Sequence, residues 1–388
     1  MNDLRTKVLE AATRIEGFDF GSIDIGPVYV ESGAIAHVAP YLQGNKYSRI
    51  IIAADANTYA IVGETLEALI LETSISVKVT LIQPDLQGDV KADEAALVQL
   101  ILDLKTYSAE AVIAVGSGTM HDIARFSAYT LSIPFISVPT APSVDGFNSK
   151  GAPLILHGEK KTIQTIGPSA IFADLDILSQ APIEMVAAGF GDMLGKYTSL
   201  FDWKFGSLTG GETYSPVVAE MTRNALRRCV ENIDLIASRS AEGIRLLIEA
   251  LLESGYAMLL FGHSHPASGA EHHLSHYWEM EFIKLGKRQI LHGAKVGVAC
   301  AEISTLYHRL ADEWLPSAEP IQLELIRKEI REIPEAHEIR RLLSIVGGPT
   351  TPDELGVDEQ LLVRSLSEAH YIRLNRYTLL RSYNETKL

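Results

Sequence analysis

Five of the chain's twelve histidines, His263, His265, His272, His273 and His276, fall within residues 263 to 276. His272 and His276 are four residues apart, so on a helix they share a face, the spacing two imidazoles need to approach one metal ion. Spacing alone names that pair as ligands; the plainer reading is a solvated polar helix start. A zinc protease would carry Glu directly after the first histidine, and residue 273 is His, so that chemistry is not supported. Asp192 lies in a run of small residues, Ala188-Gly189-Phe190-Gly191-Asp192. Taken alone it reads as a helix cap or a surface acid. Upstream, Gly116-Ser117-Gly118-Thr119-Met120-His121-Asp122 follows an apolar β-like run and opens a helical one. Backbone N–H groups at such a turn can hold a pyrophosphate. The dinucleotide fingerprint G-x-G-x-x-G would require Gly at 121, where this chain has His121, so a tight strand-to-helix turn without ligand stays open. Asp55 ends another apolar run; it can accept from a ribose hydroxyl or cap a helix.

The elements that must position these groups follow from periodicity. RIIIAA (49–54), VKVTLIQP (77–84), AVIAVG (111–116) and FISVPT (135–140) alternate with helical stretches. Runs apolar throughout, separated by helices, predict a parallel sheet covered on both faces. After Pro142 the rhythm breaks, and two short β-like runs around a polar turn at His157 to Lys161 predict a hairpin and a return strand. From about Pro182 the apolar residues recur at helical spacing only. We therefore expect an α/β nucleotide-binding domain over 1–181 and an all-helical metal and substrate domain over 182–388.

Composition narrows the class. At 388 residues, 47% hydrophobic and 21% charged, the chain has the usage of a globular protein long enough for two cores. No apolar run approaches the roughly 20 residues of a membrane helix, and the segment MNDLRTKVLEAATRIEG is amphipathic and charged rather than a signal peptide, so a cytoplasmic protein is expected. Cys229 and Cys300 stand alone, without ligand spacing or a disulfide framework. A net charge of -15 argues against nucleic acid and anionic membranes as partners. An anionic substrate would then need a locally positive pocket.

The segments GSGTMHD, SVPTAPSVDGFNSKGAPL, IFADLDIL, AAGFGDMLGKYTSLFDWK, HPASGAEHHLSH and LHGAKV, in this order over about residues 20 to 300, resemble the sn-glycerol-1-phosphate dehydrogenase family, bacterial AraM type. That family sits in the superfamily of glycerol dehydrogenase, iron-dependent alcohol dehydrogenases and dehydroquinate synthase. The resemblance implies the dehydroquinate synthase-like fold and reduction of dihydroxyacetone phosphate by NAD(P)H at a divalent metal in the cleft between the domains. It implies Asp192, His272 and His292 as metal ligands, which moves His276 from ligand to substrate neighbour and proton relay. Cofactor contacts carry over to Asp55, to Gly116, Ser117, Gly118 and Thr119 with Asp122, and to Thr140, Ser143 and Ser149; Asp145 matches a substrate contact. Iron-dependent members carry a histidine ligand four residues after the Asp, where this chain has Lys196. Three protein ligands leave an open position, suited to a Lewis acid such as Zn²⁺ or Ni²⁺. Lys196 is then either near the substrate phosphate or in an ion pair. A homo-oligomer, in the first instance a homodimer, is expected. Glycerol dehydrogenase, a dehydroquinate synthase-like enzyme and a catalytically silent metal-binding protein of the same fold are the rival readings.

Overall fold

The computed structural model describes residues 3–19, 26–315 and 320–386. Among the described residues eight strands form two sheets: β1 (Val28–Glu31), β2 (Arg49–Ala54), β3 (Ser76–Leu81), β4 (Ala111–Gly116), β5 (Phe135–Pro139), β6 (Gly151–Leu156), β7 (Glu159–Gln164) and β8 (Ala170–Asp174). Six of them make one parallel sheet in the order β1-β8-β5-β4-β2-β3. In β2, Ile50, Ile52 and Ala54 enter one apolar layer and Ile51 and Ala53 the other. Both faces are therefore dry, which is why these strands read as unbroken apolar runs. The chain goes from β2 to β3 on one side and returns to β4 on the other. A crevice opens at the carboxyl ends of β2 and β4, the place where open α/β sheets take ligands.

The sequence reading missed β1, a four-residue strand paired only with β8 at the sheet edge and too short for a periodic signal. It placed the end of β3 at residue 84; the strand stops at Leu81, ahead of Pro84. The hairpin β6–β7 is present, with a tighter turn than expected. His157 and Gly158 alone form it, at φ 54° and 75°, and Lys160 and Lys161 already belong to β7.

Beyond β8 the described residues form helices only. None is long and apolar enough to cross a membrane among the described residues. The helix Asp3–Thr13 buries Leu4, Val8 and Ala12 against this helical half, in one core with Val218 and Leu226. The helices Ile183–Leu194 and His292–Glu313 cross backbone to backbone. A Cβ on Gly293 would lie 1.8 Å from the carbonyl oxygen of Ala188, and one on Gly191 would lie 2.4 Å from that of Gly293. Glycine is needed there for space alone.

Gly293→Ala should therefore force the two helices apart and cost about 3 kcal/mol, at the upper end of overpacking effects, in urea denaturation. Gly44→Ala, where the added Cβ meets nothing within 4 Å, should be neutral or mildly stabilising. Equal stability of both variants would refute the close-approach argument.

Candidate active site and metal centre

Asp192 lies in the last turn of Ile183–Leu194, 0% exposed, so it is neither a cap nor a surface acid. His292 is the first residue of the helix that the glycines admit, and His272 stands in the first turn of Ala270–Lys284. One ligand atom from each of Asp192, His272 and His292 lies within 4.8 Å of the others. His276 comes close without joining that set, its ring centroid 5.8 Å from that of His292 and 6.3 Å from that of His272.

The surroundings of the triad fit a cation. His272 Nδ1 donates to Glu271 Oε1 at 2.6 Å, which leaves Nε2 as a lone pair 3.8 Å from Asp192 Oδ1. A carboxylate behind the imidazole fixes tautomer and ring orientation, the usual support of a ligating histidine. Glu271 is itself held by Gly269 N–H at 2.6 Å and the Thr198 hydroxyl at 2.6 Å. Hydrogen bonds from His272, Thr198 and Gly269 outweigh burial and keep its carboxyl low.

Lys196 is buried one turn after Asp192. Its Nζ donates to Asp145 Oδ2 at 2.8 Å, Asp192 Oδ1 at 2.9 Å and the Ala267 carbonyl at 3.2 Å. Those bonds use all three of its protons, so it has none left for a phosphate. Burial opposes the ammonium, but the two carboxylates prevail and raise its pKa. Asp145 N–H donates to Asp192 Oδ2 at 2.9 Å, and Ser254 donates to Asp145 Oδ2 at 2.8 Å. Burial, then the Asp192 charge, push the Asp145 carboxyl up against the pull of Lys196. Three carboxylates against one ammonium leave this centre short of positive charge, the complement of a divalent ion.

The loop carrying Asp145 is gripped from both sides. Arg125, fully buried in the helix Gly118–Leu131, donates to the carbonyls of Gly146, Gly151 and, at 3.0 Å, Phe147. On the other side Asn148 donates to Leu252 O at 2.9 Å, and a Cβ on Gly255 would fall 2.0 Å from Asn148 Oδ1.

The glycine loop faces the same cleft, whose volume is about 1010 Å³. Ser117, Gly118, Thr119 and Asp122 line it together with Ser143, Asp145, Ser149, His272, His276 and His292. Ser117 makes no side-chain cap, so the first N–H groups of the 14-residue helix Gly118–Leu131 stay open to the cleft. Such a helix end fits a pyrophosphate. Thr140 stands one layer behind, its N–H donating to Gly116 O at 3.1 Å. His121 explains the departure from the fingerprint. Burial holds its imidazole neutral, with the pKa pushed down to about 3. Nδ1–H donates to Ser117 O at 2.9 Å and Nε2 accepts from Ser137 Oγ at 2.7 Å, so a side chain braces the turn. Burial pushes Asp122 up to about 7, with Arg125 opposing. Asp55 lines the cleft from the end of β2 and is also a helix cap, its Oδ1 accepting from Asn57 N–H at 2.8 Å and Thr58 N–H at 2.9 Å. The cap reading of Asp55 is thus met, and its place in the cleft leaves it within the nucleotide side of the site.

Several cleft groups escaped the sequence reading. Lys160 of β7 reaches Glu279 at 2.7 Å, which also pairs with the buried Lys295 at 3.2 Å. Burial opposes the Glu279 charge, yet Lys160 and Lys295 hold its carboxyl far below the usual range. The signal was there: Glu279 follows His272 and His276 at helical spacing on the same face. Arg373 and Arg376 come from the C-terminal stretch that the motifs did not reach. Removing any one side chain of Asp192, His272 or His292 by Ala substitution should abolish retention of a divalent ion. His276→Ala should keep it. Elemental analysis of the four purified variants decides, and a full metal complement in the first three would overturn the ligand set.

The family description "Iron-containing alcohol dehydrogenase" matches residues 29–182. The glycerol-1-phosphate dehydrogenase [NAD(P)+] of Geobacillus thermodenitrificans (strain NG80-2) is 45% identical over 100% of this chain and 99% of its own length. The enzyme of that name from Geobacillus stearothermophilus is 49% identical over 94% of this chain and 93% of its own. In fold the chain is similar to glycerol dehydrogenase from Schizosaccharomyces pombe, with a TM-score of 0.69 at 18% identity, covering 93% of this chain and 85% of that one. Similarity to the curated relatives thus runs through the C-terminal stretch as well, and with 45% identity along its full length this chain belongs to the glycerol-1-phosphate dehydrogenase family.

Proposed function

We propose that this chain reduces dihydroxyacetone phosphate to sn-glycerol-1-phosphate with NADH or NADPH, and runs the reverse reaction, supplying a phospholipid backbone precursor in the cytoplasm. The observation that carries the reading is 45 to 49% identity, over nearly the whole chain, to enzymes named glycerol-1-phosphate dehydrogenase [NAD(P)+]. We further propose that it works as a homodimer.

The nicotinamide supplies hydride when bound, and a divalent ion polarises the ketone. Asp192, His272 and His292 would hold the ion; one carboxylate with two imidazoles suits Zn²⁺ or Ni²⁺. Backbone N–H groups of the Gly116 to Thr119 turn would hold the pyrophosphate, with Asp122, Ser143 and Ser149 around it and Thr140 fixing the turn from behind. Asp55 would take the ribose. Lys196 is a positioning residue: one ammonium sets both Asp192 and Asp145, so the ligand and the group proposed to bind the substrate hydroxyl keep a fixed separation. His276, one turn beyond His272, relays the proton to the new hydroxyl, giving it from one ring nitrogen while the other takes its replacement.

The substrate assay tests the reading directly. The ratio of kcat/KM for dihydroxyacetone phosphate over dihydroxyacetone should be about 10³ or more, because two or three charge-assisted hydrogen bonds to phosphate are lost with the smaller ketone. Comparable efficiencies would turn the reading to glycerol dehydrogenase, and an sn-3 product would reject it. For the cofactor, Asp55→Asn keeps an oxygen for the helix cap and removes the charge facing a 2′-phosphate. The preference for NADPH over NADH should rise about tenfold, about 1.4 kcal/mol, in paired kcat/KM measurements. An unchanged ratio would take Asp55 out of the ribose site.

A further inference from the structure

The cleft of this acidic protein is lined by several cations, most of them already neutralised. Lys91 holds Asp85 at 2.5 Å, Lys160 holds Glu279 at 2.7 Å, Lys161 holds Glu159 at 3.1 Å and Arg376 holds Glu212 at 2.7 Å. Arg373 differs. It ends the short 3₁₀ helix Ala369–Arg373, which packs on the histidine-bearing helix Ala270–Lys284. Among the described residues no carboxylate lies within ion-pairing distance of its guanidinium. Its Nη1 donates to Ser268 Oγ at 2.9 Å and Ser264 Oγ at 3.3 Å. Its Nε and Nη2 donate to no group among the described residues. That edge of the guanidinium is the flat fork that fits two oxygens of a phosphate.

The loop beneath Arg373 is fixed. Arg376, fully buried, donates to the Ser268 carbonyl from Nε at 3.3 Å and from Nη2 at 3.1 Å while its Nη1 holds Glu212. The neighbouring Ala267 carbonyl accepts from Lys196 Nζ, the ammonium that also grips Asp192. The two serines are thus tied through one short loop to the centre that holds the metal ligands. The N–H groups at the start of the histidine helix are already engaged: Gly269 N–H donates to Glu271 and Ala270 N–H to Asp202 at 2.8 Å. The backbone there is committed, and the side chain of Arg373 is the available donor.

We propose that Arg373, with the hydroxyls of Ser264 and Ser268, is the phosphate receptor of this site and the residue that selects a phosphorylated ketone over its unphosphorylated counterpart. The inference rests on the functional reading above and deepens it. Burial, then the neighbouring Arg376, pull the Arg373 pKa down to about 10, with Glu271 opposing from beyond ion-pairing distance. A phosphate dianion supplies a counter-charge, and the serine hydroxyls, free to rotate, can turn their protons toward it. Arg376 shares the motif Arg373-Leu374-Asn375-Arg376 and has the opposite task, anchoring the loop while Arg373 meets the ligand.

The experiment compares kcat/KM for dihydroxyacetone phosphate and dihydroxyacetone in the wild type, Arg373→Ala, Arg373→Lys and Lys160→Ala, with metal content and circular dichroism recorded for each. Calorimetric titration with inorganic phosphate supplies a readout independent of turnover. Arg373→Ala should lower the ratio of the two efficiencies by about 10²- to 10³-fold, mostly through KM for the phosphorylated ketone, and should lose phosphate binding in the calorimeter. Arg373→Lys should recover part of both, since it restores the charge without the fork. An Arg373→Ala protein that keeps the wild-type ratio and phosphate affinity would overturn the proposal. So would a ratio that collapses in Lys160→Ala and stands in Arg373→Ala. A wild type that does not discriminate between the ketones would instead remove the functional reading, and the calorimetry would still report whether Arg373 holds an oxyanion.

Discussion

Two helices in this protein touch through their main chains, and the site depends on that contact. Gly191 and Gly293 leave no room for a Cβ, and Gly297 approaches the same spot, its Cβ position 3.0 Å from the Gly191 Cα. The small residues flanking Asp192 bring its carboxylate, from the end of one helix, to His292 at the start of the other. The same helix closes on the neighbouring loop, since a Cβ on Gly189 would lie 1.8 Å from the Pro142 carbonyl. Asp145 follows three residues later. These two sterically dictated contacts therefore set Asp192, His292 and the loop carrying Asp145 relative to one another.

Electrostatics complete what packing begins. Removing Asp145, Asp192 and Glu271 from water is costly, and the protein offsets the cost with a buried ammonium, hydroxyls and main-chain N–H groups. The offset is partial, and a partial offset attracts a cation. The opposite imbalance stands in the same cleft at Arg373, whose guanidinium has no carboxylate within ion-pairing distance among the described residues. A single cavity thus holds both a cluster of carboxylates short of positive charge and a guanidinium short of negative charge.

Much of this was legible in the residues. The central strands β2, β4 and β5 announced themselves because both of their faces are buried, and the glycine loop because a strand end and a helix start are written side by side. At the histidine cluster, spacing and geometry point to different sets. An i, i+4 pair guarantees only that His272 and His276 share a face, whereas a ligand set needs a group from another element. His292 arrives from the next helix and Asp192 from one far earlier in the chain, so neither is visible in a local pattern, and only the resemblance pointed to them. Lys160 and Arg373 stayed hidden for the same reason, since their meaning lies in residues distant in sequence. β1 was missed because four edge residues carry no period.

The helix Asp3–Thr13 adds a temporal dimension to this architecture. It is synthesised ahead of the whole sheet, yet its apolar face fits helices that do not exist until the ribosome has passed residues Pro216–Glu231 and Ala241–Phe261. Eleven residues are too few to hold a helix in water by themselves. Until those helices exist, Leu4 and Val8 have no apolar partner from the helical part of this core to bury against. Docking of this segment therefore has to follow synthesis of the entire sheet, which makes an early segment of the chain depend on a late one.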